Sequence, residues 1–213
     1  MAEWSPKATP YPVAPAAGDA GACSPLDAAM DRYASGEDAA FQELHRRGAP
    51  RVRGFLLRLS GDAALADDLT QEVFLRIHRA RGSFEPGAAA LPWIFAVARN
   101  VFLDHARRPK VRGMPASSPW GSPPPEREAP PDTHGEEVAI ANEMLEVVRK
   151  TLAGLPVLQR EAFVLLRFEG LSVHEAAQVL GANKGAVKIR AFRAYEALRA
   201  ALGHEGFRSG APR

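Results

Sequence analysis

The sequence predicts an all-α protein of two small helical domains, residues 25–112 and 136–203, joined by an extended proline-rich connection over residues 113–135. Three observations predict it. Apolar residues recur at intervals of three and four, with no strand-length alternation. Proline is gathered into a leader and one central segment rather than spread evenly. Finally, the stretch from Leu171 to Leu202 divides at Gly181 into a short helix and a long one, the layout of a helix-turn-helix.

The chain has 213 residues, 46% of them hydrophobic, enough for folded cores, and a formal net charge of +2 that hides strong local segregation. Residues 1–24 carry Pro6, Pro10, Pro12 and Pro15 with little to bury, and read as a disordered leader in which Trp4 and Tyr11 need no partner. This segment has neither a signal-peptide core nor a membrane-spanning run, so a cytoplasmic protein without membrane insertion is expected. Cys23 is the only cysteine and the six histidines are scattered. An internal disulfide is excluded, and no metal site or cofactor is expected.

In the first domain, Leu26, Met30 and Tyr33 open a helix that stops at Gly36. Phe41, Leu44 and His45 begin a second, which resumes through Val52, Phe55, Leu56 and Leu59. Gly48 and Pro50 predict a kink or short break near Ala49. Gly61 closes this segment and Asp62 caps the next, from Ala63 to Arg79, with Leu65, Leu69, Val73 and Ile77 as its core stripe. Its other side presents Asp67, Asp68, Gln71 and Glu72 early and Arg76 and Arg79 late, an order that complements the helix dipole. Beyond stability, that patch admits a catalytic carboxylate site or a docking surface for a cationic partner. No second acidic or histidine cluster stands ready to converge on it, so docking is preferred and no catalytic residue is expected.

Gly82, Pro86 and Gly87 specify a loop that holds Phe84 in a polar setting, and Pro92 suits the first turn of a long helix. Leu91, Ile94, Phe95, Ala98, Val101 and Phe102 form its buried face, with Trp93, Asn100, Asp104 and Arg107 near another side. Arg99, Arg107, Arg108, Lys110 and Arg112 against Asp104 make a basic surface. Aromatic rings beside cations suit single-stranded nucleic acid, although Phe84 and Trp93 taken singly read as core or cover residues.

The connection from Gly113 to Gly135 is too rich in proline for a helix and carries mainly acidic charge. A helix from Glu137 to about Leu152 follows, with Val138, Met144, Leu145 and Val148 inward, and another starts at Pro156 with Ala162, Phe163, Leu165 and Leu166. Ser172 and Glu175 form a capping box for the next helix, Gly181 ends it, and Asn183 caps the last one. Val187, Ala191, Ala194, Leu198 and Leu202 are the buried side of that last helix. Its other face is basic, with Lys184, Lys188, Arg190, Arg193 and Arg199, the charge pattern of a helix in a DNA major groove. A short tail, residues 204–213, ends the chain.

Two separated stretches then agree on one family. ADDLTQEVFLRIHRARGSF and LPWIFAVARNVFLDHARR, with LAGLPVLQREAFVLLRFEGLSVHEAAQVLGANKGAVKIRAFRAYEALRAAL after them, resemble the extracytoplasmic-function group of bacterial RNA polymerase sigma factors. The resemblance implies sigma region 2 in the first domain and sigma region 4 in the second. It implies a non-enzymatic subunit that binds core RNA polymerase, through the beta-prime clamp helices and the beta flap, and reads promoter DNA as duplex and as a melted non-template strand. By that resemblance Asp67, Asp68, Gln71 and Glu72 dock on the clamp helices. Phe84, Trp93, Arg99, Asn100, Arg107 and Arg108 serve the minus-ten element. Lys184, Lys188, Ile189, Arg190, Phe192 and Arg193 serve the minus-thirty-five element, with Arg190 on phosphate. An anti-sigma factor that holds the protein inactive is implied as well. The sequence departs from the family pattern at Ala186, where a threonine hydroxyl is usual, at Ala191 and at Tyr195. A two-domain transcriptional regulator that binds duplex DNA by itself is the competing reading.

Overall fold

A computed structural model describes residues 24–107 and 135–206. The leader, the connection and Arg108 lie outside the described residues, as do the side chains of Val138 and of the tail. Among the described residues there are eight α-helices and no strand, in agreement with the all-α expectation.

Helix α1 (Pro25–Ala34) starts at a capping box missed in the sequence: Ser24 Oγ accepts from Asp27 N at 3.1 Å, and Asp27 Oδ2 from Ser24 N at 3.2 Å. Helix α2 (Ala40–Ser60) corrects one expectation. It runs through Gly48 and Pro50 without a break. Proline leaves the Arg46 carbonyl without its helical donor, yet buried residues on both sides, Leu44 and Val52, fix the segment in the core. Gly48 is used for close packing, since a Cβ there would lie 3.3 Å from Phe74 Cζ.

Gly61, at φ 72°, turns the chain, and Asp62 Oδ1 accepts from Leu65 N to cap α3 (Ala63–Ala80). A 3₁₀ turn (Arg81–Ser83) and a loop lead to α4 (Ala90–Arg107). The four helices enclose Tyr33, Leu44, Phe55, Ile77 and Phe95, all fully buried.

The second unit comprises α5 (Gly135–Gly154), α6 (Val157–Arg167), α7 (Val173–Leu180) and α8 (Lys184–Gly206). Both halves of the Ser172 and Glu175 capping box form, and Gly181 closes α7 at φ 58°. Asn183 Oδ1 accepts from Ala186 N at 2.7 Å, so the cap that a hydroxyl at Ala186 would have strengthened is supplied one turn earlier. Ser172→Ala is expected to cost about 1 kcal/mol, read in a thermal melt as a fall of roughly 2–4 °C in Tm.

Met144 and Leu145, expected inward, are exposed, at 51% and 65%. Helix α5 packs chiefly on α8, and Leu152 and Val148 make that contact with Phe163, Ala194 and Leu198. Helix α5 also meets α2.

The two units pack together. Helix α4 lies against α7 and α2 against α6, and the apolar core of the first unit continues into Ala162, Val164, Leu165, Val179 and Val187 of the second. No described helix is long and apolar enough to cross a membrane.

Candidate nucleic-acid interface

On α3, the outward face is acidic with one apolar member. Asp67, Asp68 and Gln71 are exposed and Glu72 is half-buried. Arg53 of α2 forks onto Asp67 and holds its carboxyl below the usual range. Arg76 pairs with Glu72 at 2.9 Å and reaches Asp104 of α4 at 2.7 Å, tying the two helices. Among the described residues Asp68 and Gln71 have no such partner. Leu75, 51% exposed, follows Asp68 and Gln71 on the same helical side. It stands off the Leu69, Val73 and Ile77 stripe, which was the available signal for it. No cluster of three or more His, Cys, Asp or Glu able to hold a metal ion forms among the described residues.

The loop before α4 is held from below by α1. Asp27 Oδ1 accepts from Ala90 N at 2.8 Å, and Asp31 Oδ1 from Gly87 N at 2.9 Å. Phe84, expected in a polar setting, is instead buried edge-on against Trp93, with ring centroids 5.5 Å apart. The polar neighbours Ser83 and Glu85 point the sequence reading outward, while the indole gives Phe84 an apolar seat. Phe84 and Trp93 therefore brace the loop. Asn100 is half-buried and Arg107 exposed on α4.

Helix α8 presents an exposed surface of cations and large apolar side chains. Lys184, Lys188 and Arg193 are exposed, and so are Ile189 at 54% and Phe192 at 62%. Lys188, Ile189, Phe192 and Arg193 fall on one side by helical spacing. Large apolar side chains standing in water between cations mark a surface made to be covered. Arg190, expected on that side, is half-buried, with Nη1 shut away from solvent, and its charge acts on Glu161.

Charges are buried where the units meet. Glu161 of α6 is 0% exposed, and its Oε1 lies 3.1 Å from Arg99 Nε, an ion pair too poorly aligned to count as a hydrogen bond. Glu169, in the turn after α6, faces Arg51 Nε at 3.4 Å and Arg58 Nη1 at 3.5 Å, and Arg51 also donates to its carbonyl. Arg160 donates to the Leu59 carbonyl of α2 at 2.7 Å. Nothing in local sequence announces these pairs, because each joins residues far apart in the chain.

Burial pushes the Glu161 carboxyl up, against the pull of Arg99, Arg190 and Arg160, and it pushes Glu169 up against Arg51 and Arg58. The folded state therefore holds these protons more tightly than the unfolded chain does. Their contribution to stability is present below the ordinary value of 4.5 and is lost as pH rises through the elevated values. The difference in Tm between the native chain and Glu161→Gln with Glu169→Gln is expected to change in that direction from about pH 5 to about pH 7, the native chain losing stability relative to the variant. The opposite trend would contradict that sign.

Comparison with known proteins identifies both units. The family model for Sigma-70 region 2 matches residues 44–112, and that for Sigma-70, region 4 matches residues 145–198. The chain is 37% identical over 174 residues to the RNA polymerase sigma factor CarQ of Myxococcus xanthus, covering 82% of this chain and 95% of that protein. It is 32% identical over 196 residues to the ECF RNA polymerase sigma factor SigM of Mycobacterium tuberculosis, covering 92% and 94%. Among solved structures, CnrH in complex with the cytosolic domain of CnrY superposes with a TM-score of 0.62 at 25% identity, covering 85% of this chain and 99% of that one. The sigma factor RpoE in complex with the anti-sigma factor NepR from Bartonella quintana also gives 0.62, at 27% identity, covering 76% and 96%. Two regions in the right order and relatives aligned over nearly their whole length leave one conclusion: the chain belongs to the extracytoplasmic-function group of the sigma-70 family, the promoter-recognising sigma factors of RNA polymerase.

Proposed function

We propose that this sigma factor docks on core RNA polymerase through the acidic and apolar side of α3, reads a minus-thirty-five element with α8, and holds a melted minus-ten strand along α4. The observation that carries the reading is the side of α8 on which Ile189 and Phe192 stand exposed between Lys188 and Arg193. Apolar side chains there suit thymine methyl groups and the cations suit guanine edges or phosphates. Lys184, at the helix start, reaches phosphate.

On α4, Asn100 offers both donors and acceptors to a base drawn from the stack. Arg107 supplies charge beside it, and Arg108 continues that charge in sequence. The domains would be residues 25–112 and 136–203, with the acidic connection as the tether between them. Phosphodiester synthesis belongs to the polymerase, and the setting is the cytoplasm. Two similar solved structures are complexes, one with an anti-sigma factor and the other with the cytosolic domain of CnrY, which supports an anti-sigma partner for this chain.

Docking has a direct test. Asp68→Arg with Gln71→Arg reverses the character of an exposed surface without touching the core. The variant is expected to lose co-purification with core polymerase by roughly tenfold or more, since like charges brought together cost several kcal/mol. It should keep its melting temperature. Undiminished co-purification would remove α3 as the docking surface.

A further inference from the structure

The contact between the units gathers more arginine than its two carboxylates require. Arg51 and Arg58 lie two turns apart on α2. Between them Gly54 leaves room for the Arg58 guanidinium, whose Nη1 lies 2.8 Å from where a Cβ of residue 54 would be. The Arg51 guanidinium sits 5.8 Å from the centre of the Phe95 ring on α4, and Arg99 follows one turn further along that helix. The three guanidinium groups thus follow one path across α2 and α4. Glu169 meets the first two and Glu161 the third.

Both carboxylates come from the second unit. With the domains apart, the three arginines would be left without these partners, Arg99 on the helix that carries Asn100 and Arg51 and Arg58 on α2. Guanidinium recognises carboxylate and phosphate oxygens by the same fork of donors. Desolvation offsets most of the attraction in a buried ion pair, so exchange for another anion costs little, whereas removing one partner leaves buried charge uncompensated and loosens the contact.

We propose that Arg51, Arg58 and Arg99 form a phosphate track for single-stranded DNA, and that Glu169 and Glu161 occupy it in the closed chain, so that strand binding and domain packing exclude each other. This rests on the promoter-strand reading given above and adds to it Arg51 and Arg58, with Glu169 as the releasable cover. Arg58 has a second contact in the closed chain, lying over Phe168 at 4.4 Å, which is released at the same time.

The test uses the full chain and a dye-labelled single-stranded DNA of about twelve nucleotides, within the usual reach of such grooves. Apparent affinity scales with the fraction of binding-competent chain, so Glu169→Ala is expected to raise it about threefold or more. Adding Arg51→Ala and Arg58→Ala in that background removes two phosphate contacts. The log–log salt slope should then fall by about 1.4, and binding at about 0.1 M salt should weaken roughly 25-fold. Arg51→Lys with Arg58→Lys keeps the charge and should restore most of the slope, which separates loss of phosphate contacts from loss of fold.

Equal affinity and equal slope with and without the two arginines would overturn the track. No gain from Glu169→Ala would overturn the exclusion. Run-off transcription with core polymerase is measured in parallel. Transcripts from the native chain alongside either negative result leave the sigma-factor role standing and end this proposal alone; absence of transcripts from every chain ends the reading on which it rests.

Discussion

Lys188→Ala with Arg193→Ala is expected to weaken binding to a duplex promoter fragment by about 2–6 kcal/mol, from roughly 1–3 kcal/mol for each good base contact. Both side chains are exposed on α8, and neither supports the core built from Val187, Ala194 and Leu198. The change should leave the far-ultraviolet circular dichroism and the melting temperature unchanged. Two further measurements sort the contacts. A cation that holds phosphate lowers affinity for all sequences alike and reduces the salt slope by about 1, whereas one that reads a base relaxes preference at a single position. Arg199, paired with Glu196 at 3.9 Å, serves as the control cation on the same helix. If Arg199→Ala weakens binding as much as the double variant does, the readout assigned to Lys188 and Arg193 is wrong.

The largest loss of stability is expected from Phe95→Ala, about 3–5 kcal/mol. Phe95 is fully buried, its ring centre is 5.1 Å from that of Phe55, and the Arg51 guanidinium lies 5.8 Å from it. Small adjustments cannot fill the space a ring leaves when its neighbours are helices fixed on several sides. At roughly 2–4 °C per kcal/mol for a protein of this size, Tm should fall by about 10 °C. The apolar core is continuous from α2 and α4 into α6 and α7, so the described units are expected to melt in one transition. A loss below about 1 kcal/mol, or a second transition left at the native temperature, would show that Phe95 is not held in a shared core.

Most helix ends were legible because their signals are local, and the one missed, the Ser24 and Asp27 box of α1, is equally local. Asp62 and Gly61, and Ser172, Glu175, Gly181 and Asn183, act on backbone groups within a few residues of themselves, and each does in the fold what its chemistry suggests. The break expected at Ala49 failed for the opposite reason. Gly48 and Pro50 are local breakers, but the choice was made by Phe74 of α3, which fills the space that Gly48 leaves. Met144 and Leu145 show another limit: periodicity identifies an apolar side of a helix without saying whether a neighbour covers it.

The candidate site divides in the same way. The exposed cations of α8 and the acidic side of α3 were legible, since charge segregated along a helix stays outside. The family resemblance drew Phe84 and Trp93 toward DNA, whereas the residues taken singly read as core or cover, and they pack on each other beneath the loop. The pairing of Arg99 with Glu161, and of Arg51 and Arg58 with Glu169, depends on how one unit packs on the other. No spacing rule within either unit encodes it. The same contact packs α4 against α7, so under the proposed reading the second unit must move away before a strand can lie along α4.

Run-off transcription most directly decides whether these surfaces work together. Purified core RNA polymerase is supplied with a pool of genomic promoter fragments, with and without the full chain. Discrete new transcripts are expected only when the chain is present, and they should disappear with Asp68→Arg and Gln71→Arg together, with Asn100→Ala, and with Arg193→Ala. Tight duplex binding by the chain alone, with no transcript at any fragment, would contradict the promoter-specificity role and assign the helix-turn-helix to a regulator that acts without polymerase docking.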